Sequence, residues 1–175
     1  AVHLPIGVFL QPTMKGEIVL TEFVLTALDY AKTVADLFSG CGTLSLPLAM
    51  AGKRVHAVDV DNSQISALNA AAQDPRLGAR ITAETRDLER RPFAGSELAL
   101  FDGLVLNPPR AGAVAQIREI AAMAIHVVVY ASCNPATFSR DARTLSDGGY
   151  NLEMVTPIDQ FVWSAEIELV AVFRR

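Results

Sequence analysis

Cys133 stands where an apolar run gives way to a helix start, in Tyr130-Ala131-Ser132-Cys133-Asn134-Pro135. The preceding His126-Val127-Val128-Val129-Tyr130 is β-branched and apolar, as a central strand is. Pro135 suits the first turn of a helix and Asn134 its N-cap. A thiol at that junction lies at the positive end of the helix dipole, which favours the thiolate, the nucleophilic form. Cys133 is therefore a candidate for covalent catalysis. The alternative is a small core residue, since free cysteines are among the most buried types.

Three other segments carry chemistry-bearing residues. In Asp36-Leu37-Phe38-Ser39-Gly40-Cys41-Gly42-Thr43, Gly40 and Gly42 allow a tight turn that brings backbone N–H groups up to a ligand. The segment lacks the Lys-Ser/Thr of a phosphate loop, and Ser45 stands where a third glycine would complete G-x-G-x-x-G. Asp59 follows Gly40 by about twenty positions, the spacing at which an acid takes ribose hydroxyls. The pair points to a nucleoside-bearing cofactor. Asp87 is placed either to meet an adenine amino group or to cap its loop. Asn107-Pro108-Pro109-Arg110 ends a strand, and the two prolines hold Asn107 in one orientation, which suits substrate recognition or simply stops the strand. Glu166-Ile167-Glu168 enters the last strand, where a period of two puts both carboxylates on one face.

These residues are positioned by alternating elements. Strand-like runs cover 33–38, 54–60, 79–85, 101–106 and 126–130. Helix-like runs cover 14–31 (capped by Thr13), 43–51, 62–73, 113–123 and 135–145, and Asp61-Asn62-Ser63-Gln64 reads as a capping box. Alternation of this kind predicts a doubly wound α/β sheet with helices on both faces and ligands at the carboxyl ends of the strands. Two runs, 152–156 and 167–173, follow without a helix between them, so an antiparallel strand is expected at the end of a mostly parallel sheet. The polar stretch 86–97 reads as a surface loop.

With 175 residues, 51% of them hydrophobic, the chain suits a single domain over 1–175, with 1–32 as lead-in and helix and 33–175 as core. It begins Ala1-Val2-His3 without Met and runs quickly into patterned sequence, which suggests the C-terminal fragment of a longer protein. Neither Cys41 nor Cys133 has metal-ligand spacing to the other or to His3, His56 or His126, so no metal is expected, and a reducing cytoplasm is the default. No export signal opens the chain and no apolar run reaches the roughly 18 residues of a membrane span. A net charge of −4 argues against binding nucleic acid by charge alone. Phosphate contacts would come from a local face of Arg110, Arg118, Arg140 and Arg143, or from another domain.

In chain order, Phe9-Leu10-Gln11, the Asp36–Thr43 loop, Val58-Asp59, Asn107-Pro108-Pro109-Arg110, Ser132-Cys133-Asn134-Pro135 and Asp159-Gln160-Phe161 with Glu168 cover nearly the whole sequence. Together they resemble the catalytic domain of the RNA 5-methyluridine (uracil-C5) methyltransferases, which use S-adenosylmethionine. The resemblance implies a Rossmann-like S-adenosylmethionine-dependent methyltransferase fold. It implies Cys133 as nucleophile and Glu168 as base. It places Gln11, Asp36, Phe38, Gly40, Gly42, Thr43, Asp59, Asp87 and Asn107 at the cofactor or target base, and Phe9, Pro108 and Arg110 at the substrate. Carbon 5 of uracil is a poor nucleophile, so a thiolate adding at carbon 6 and a base removing the carbon-5 proton are both needed. The uridine must be flipped or unpaired to enter a pocket. Phe9 and Trp163 either stack on it or belong to the core.

The implied partner is RNA, ribosomal ahead of transfer RNA, and the protein is expected to be monomeric. The sequence departs from the family in Asn107, where Asp is usual, and in Val162-Trp163-Ser164-Ala165-Glu166. It also lacks the family's usual N-terminal RNA-binding barrel and, with two cysteines, cannot ligate the iron–sulfur cluster of many members. Two alternatives are an amino-group methyltransferase of the Asn-Pro-Pro type and a silent cofactor- or RNA-binding module.

Overall fold

The structure, a computed structural model, describes residues 4–8, 10–161 and 163–175. His3 and the proposed stacking residue Phe9 lie outside the described residues. Along the chain run α1 (Met14–Ala27), β1 (Thr33–Leu37), α2 (Ser45–Met50), β2 (Arg54–Asp59), α3 (Asn62–Ala71), β3 (Ile81–Thr85) and β4 (Gly103–Leu106). They are followed by α4 (Val114–Ala121), β5 (Val127–Ser132), α5 (Pro135–Asp147), β6 (Asn151–Ile158) and β7 (Glu168–Arg174). The strands form one seven-stranded sheet in the order β3-β2-β1-β4-β5-β7-β6. β1 to β5 pair in parallel, and β7 runs antiparallel to both β5 and β6. The reversed strand is the last in the chain but lies one strand in from the sheet edge.

The central strands are buried on both faces, which is why they read as unbroken apolar runs. In β5, Val127, Val129 and Ala131 pack with Leu20 and Val24 of α1, Leu48 of α2 and Leu68 of α3. Val128 and Tyr130, pointing the other way, pack with Ile117 and Ile120 of α4 and with Phe138 and Leu145 of α5. Two apolar layers thus clamp the sheet. They fix its register, because slipping one strand by one residue would exchange its two faces.

The register brings distant residues to one rim. Leu37 pairs with Leu106, Leu106 with Tyr130, and Ser132 with Leu169. The next residues out, Phe38, Asn107, Cys133 and Glu168, therefore share the carboxyl rim of the parallel strands.

Several boundaries differ from the sequence reading. α1 stops at Ala27 rather than Ala31. The Nζ of the buried Lys53 donates to the carbonyls of Leu28, Asp29 and Ala31 at 2.7, 3.0 and 3.0 Å, satisfying oxygens that a continuing helix would have used. Asp61 does cap α3, accepting from the backbone N–H groups of Ser63 and Gln64. The box is not reciprocal: the Asp61 N–H donates to Asp59 Oδ1 at 2.9 Å instead of to Gln64. Nor is 86–97 a simple surface loop. The buried Arg86 holds it from within, donating to Glu97 at 2.7 and 2.9 Å and to the carbonyls of Arg91 and Pro92, with its guanidinium 4.1 Å from the Phe93 ring centroid.

Candidate active site

A cavity of about 620 Å³ opens at this rim, within the size range of small-molecule sites. Its wall includes Gln11, Asp36, Phe38, Gly40, Thr43, Asp59, Asp87, Asn107, Pro108, Arg110, Cys133 and Glu168. Among the described residues that the resemblance assigns to catalysis, cofactor or substrate, only Gly42 is absent from that wall. Gly42 has φ +92°, and a Cβ there would lie 2.5 Å from Leu68 Cδ1, so this glycine lets the loop pack on α3.

The glycine loop leaves β1 through Phe38, which adopts φ +63°. A bulky side chain in the left-handed region costs on the order of 1–3 kcal/mol, and such strain collects at functional sites. Past the turn, the Gly40 N–H donates to Asp59 Oδ2 at 2.8 Å. That bond ties the loop to the end of β2 and leaves the carboxylate with further acceptor capacity at the cavity wall. Asp36 lies deeper, fully buried, and accepts from Ser45 Oγ at 2.5 Å; its Oδ1 has no partner. Burial holds its carboxyl pKa up at about 7. Asp87 does cap its loop, accepting from the N–H groups of Glu89 and Arg90, while still lining the cavity.

Asn134 locks two turns together. Its Oδ1 accepts from the Ala136 N–H at 3.1 Å, capping α5, and its Nδ2 donates to the Arg110 carbonyl at 3.0 Å. The turn after β4 and the turn carrying Cys133 are thereby tied together. Cys133 is partly exposed at the cavity, not a core residue. Its thiol is not poised as thiolate: burial, then the neighbouring Glu168 carboxylate, push its pKa above the ordinary cysteine range, against an opposing pull from Arg110. Glu168 opens β7 and is 3% exposed. Burial raises its carboxyl to about 7, while a 3.3 Å hydrogen bond from Gln160 Nε2 draws it down.

One expectation about the last loop fails, and another loses its core alternative. Glu166 and Glu168 do not share a strand face, because β7 begins only at Glu168. Glu166 lies in the loop and accepts two hydrogen bonds from Arg110, at 2.9 and 3.1 Å. Trp163 is neither core nor cavity wall; it is fully exposed, with φ +64°. The proposed basic face is also largely neutralised, with Arg110 on Glu166, Arg140 on Asp141 and Arg143 on Asp147. Sequence reasoning gave no separate role to Gln160 and Phe161, although it noted their segment; both sit at the site, and the burial of Gln160 is the sign a sequence cannot display.

The family description tRNA (uracil-5-)-methyltransferase matches residues 3–175. This chain belongs to that family. A Mesorhizobium japonicum protein described as an RNA methyltransferase is 51% identical over 171 residues, 98% of this chain and 41% of that protein. A Caulobacter vibrioides protein of the same description is 47% identical over 174 residues, 99% of this chain and 42% of that protein. The chain thus spans about two fifths of the length of these curated relatives. The crystal structure of the Pyrococcus abyssi tRNA (uracil-54, C5)-methyltransferase, in complex with S-adenosyl-L-homocysteine, superposes with a TM-score of 0.82 and 26% identity over 95% of this chain and 40% of that one. The Synechocystis magnesium protoporphyrin IX methyltransferase with bound S-adenosylmethionine, at a TM-score of 0.70 and 20% identity over 92% of this chain and 80% of that one, shares the fold. The tRNA (uracil-5-)-methyltransferase family member described here has the S-adenosylmethionine-dependent methyltransferase fold, with a mostly parallel sheet and an antiparallel last strand.

Proposed function

We propose that this domain, within its full-length protein, methylates carbon 5 of uracil in RNA through a covalent intermediate on Cys133, with Glu168 as the base. The observation that carries the reading is that Cys133 directly follows β5 and Glu168 begins the adjoining antiparallel β7, both on the wall shared with the glycine loop.

The residues present fit S-adenosylmethionine. Asp59, already fixed by Gly40, offers acceptor positions for ribose hydroxyls, Asp87 suits an amino group, and Phe38 and Leu88 supply apolar wall. When bound, S-adenosylmethionine supplies an electrophilic methyl group. Cys133 Sγ loses its proton to solvent and adds to carbon 6, moving the electron pair onto carbon 5, which would take the sulfonium methyl and leave S-adenosylhomocysteine. Glu168 then accepts the carbon-5 proton, the carbon 5–carbon 6 double bond reforms, and the sulfur leaves as thiolate. A carboxyl near pH 7 is well matched to that task at neutral pH. Gln11 uses its carbonyl on Gln160, so toward the cavity it offers amide hydrogens, which suit a uracil carbonyl.

RNA carrying 5-fluorouridine tests the reading, because fluorine at carbon 5 cannot leave as a proton. The full-length protein, given S-adenosylmethionine, is expected to stall as an adduct at Cys133, seen as a mass shift. A Cys133→Ala variant that still methylates RNA would overturn the reading and favour an amino-group acceptor. Ribosomal RNA is the proposed substrate, whereas the Pyrococcus abyssi enzyme is named for transfer RNA. Nucleoside mass spectrometry of both RNAs from a strain lacking the full-length gene decides between them.

A further inference from the structure

Gln160 lies in the connection between β6 and β7 and is 2% exposed. Its Nε2 donates to Gln11 Oε1 at 2.8 Å and to Glu168 Oε2 at 3.3 Å. The amide orientation follows from this, because a carbonyl in that place would face two acceptors. Each partner of the Gln160–Glu168 pair keeps one buried oxygen without a hydrogen bond, Gln160 Oε1 and Glu168 Oε1. Buried polar atoms are rarely left so, and the exceptions gather where chemistry needs them. Room for Gln160 is made from the far side by Gly16 of α1, since a Cβ on Gly16 would overlap the Gln160 side chain.

We propose that Gln160 is the positioning residue for the base: it holds Glu168 Oε2 in a hydrogen bond and so leaves Oε1 as the one oxygen free to take the carbon-5 proton. A carboxylate has two oxygens and several lone pairs, and only one direction serves a proton on a bound ring. Fixing one oxygen through a donor fixes the plane of the other. The second Gln160 hydrogen bond, to Gln11, anchors the amide to the N-terminal segment, where Gln11 lines the same cavity. The same donor favours the ionised carboxylate and opposes the effect of burial. Cys133, from the turn after β5, lies within electrostatic reach of Glu168, and Arg110, from the turn after β4, lines the same cavity. α1 meets Gln160 at Gly16, which carries no side chain.

The inference rests on the proposed uracil chemistry. The test compares full-length wild-type protein with Gln160→Met, which keeps the length and removes the donor. With 5-fluorouridine RNA, both are expected to form the Cys133 adduct, since that step precedes the base. With normal RNA, Gln160→Met is expected to turn over on the order of tenfold to a hundredfold more slowly, to accumulate adduct bearing the new methyl, and to need a higher pH for half-maximal kcat. S-adenosylhomocysteine affinity should stay within about twofold, which separates positioning from collapse of the site. Gly16→Ala, which displaces Gln160 from outside the cavity, should shift the pH profile in the same direction. Wild-type rate and pH profile in Gln160→Met would overturn the role of Gln160. Failure of the wild-type protein to trap 5-fluorouridine RNA would instead overturn the uracil reading.

Discussion

The Arg110 guanidinium grips the Glu166 carboxylate through two hydrogen bonds, of 2.9 and 3.1 Å, joining the turn after β4 to the loop before β7. Arg110 lines the cavity with Cys133, and the two charges of the pair act on the thiol in opposite senses. An arginine expected from sequence to meet phosphate is held by an acid of the same chain.

Glu166→Gln releases that arginine. RNA affinity of the full-length protein is expected to rise a few-fold at low salt. The slope of log affinity against log salt should steepen by about one phosphate contact, and Arg110→Ala should move both the other way. Binding isotherms at several salt concentrations measure this. Losing Glu166 also removes a charge that raises the Cys133 thiol, so half-maximal alkylation of Cys133 should come at a lower pH. Fold stability should change little, because the pair is solvent-screened.

Glu168→Gln removes the base but keeps the shape. Methylation of RNA is expected to fall about 10²- to 10⁴-fold, with protein–RNA adduct accumulating at Cys133. In the wild-type protein the carboxyl must be ionised to act and its pKa lies at about 7. The rate should therefore climb as pH rises through 7, a limb that Glu168→Gln lacks. Single-turnover rates between about pH 5.5 and 9 read this directly.

Gly42→Ala meets both a left-handed backbone and the Leu68 side chain. The expected destabilisation is about 1–3 kcal/mol, a loss of several degrees in Tm for a domain of this size. Gly52 has nearly the same backbone, φ +91°, with nothing within 4 Å of a Cβ. Gly52→Ala should cost only the backbone part, about 1 kcal/mol. Paired thermal melts separate crowding from conformation.

Asp36→Asn addresses pH-dependent stability. The folded pKa of Asp36, about 7, lies above its unfolded value near 3.8. Below the lower value the carboxyl is protonated in both states and costs nothing. As pH rises toward 7 the unfolded chain releases its proton first, so stability falls across that window and then levels off. The asparagine variant removes this slope, so its gain in Tm over wild type should be larger at pH 8 than at pH 4.

Much of the fold was legible because strand periodicity and helix caps are local. Asn134 and Pro135 begin α5 as their types require, and the unbroken β5 run reflects burial on both faces. What escaped depends on contacts between distant residues. Nothing near Ala27 announces that Lys53 will take the carbonyls beyond it and end α1. Glu166 reads as a strand residue until Arg110 draws it into a loop contact. Thiolate character was inferred for Cys133 from the helix start alone, but the larger influences on it are burial and Glu168. The glycine-loop acid, the Asn-Pro-Pro-Arg turn and Cys133 were visible as motifs, and the sheet register brings them to one cavity. Gln160 was visible only as part of a motif, since its partners are Glu168 and a glutamine 149 positions away.

The reversal of β7 has a consequence for how the site comes into being. Every other rim residue sits where a strand leaves the sheet, but Glu168 sits where one enters. β6 joins the sheet only through β7, so β5 remains an open edge until the last strand threads in. The glycine loop and Cys133 follow strands that pair with one another through β4, so they can come together without β7, whereas Glu168 reaches the rim only when β7 pairs with β5. On the proposed mechanism, the thiol therefore completes no turnover on RNA before β7 has joined the sheet.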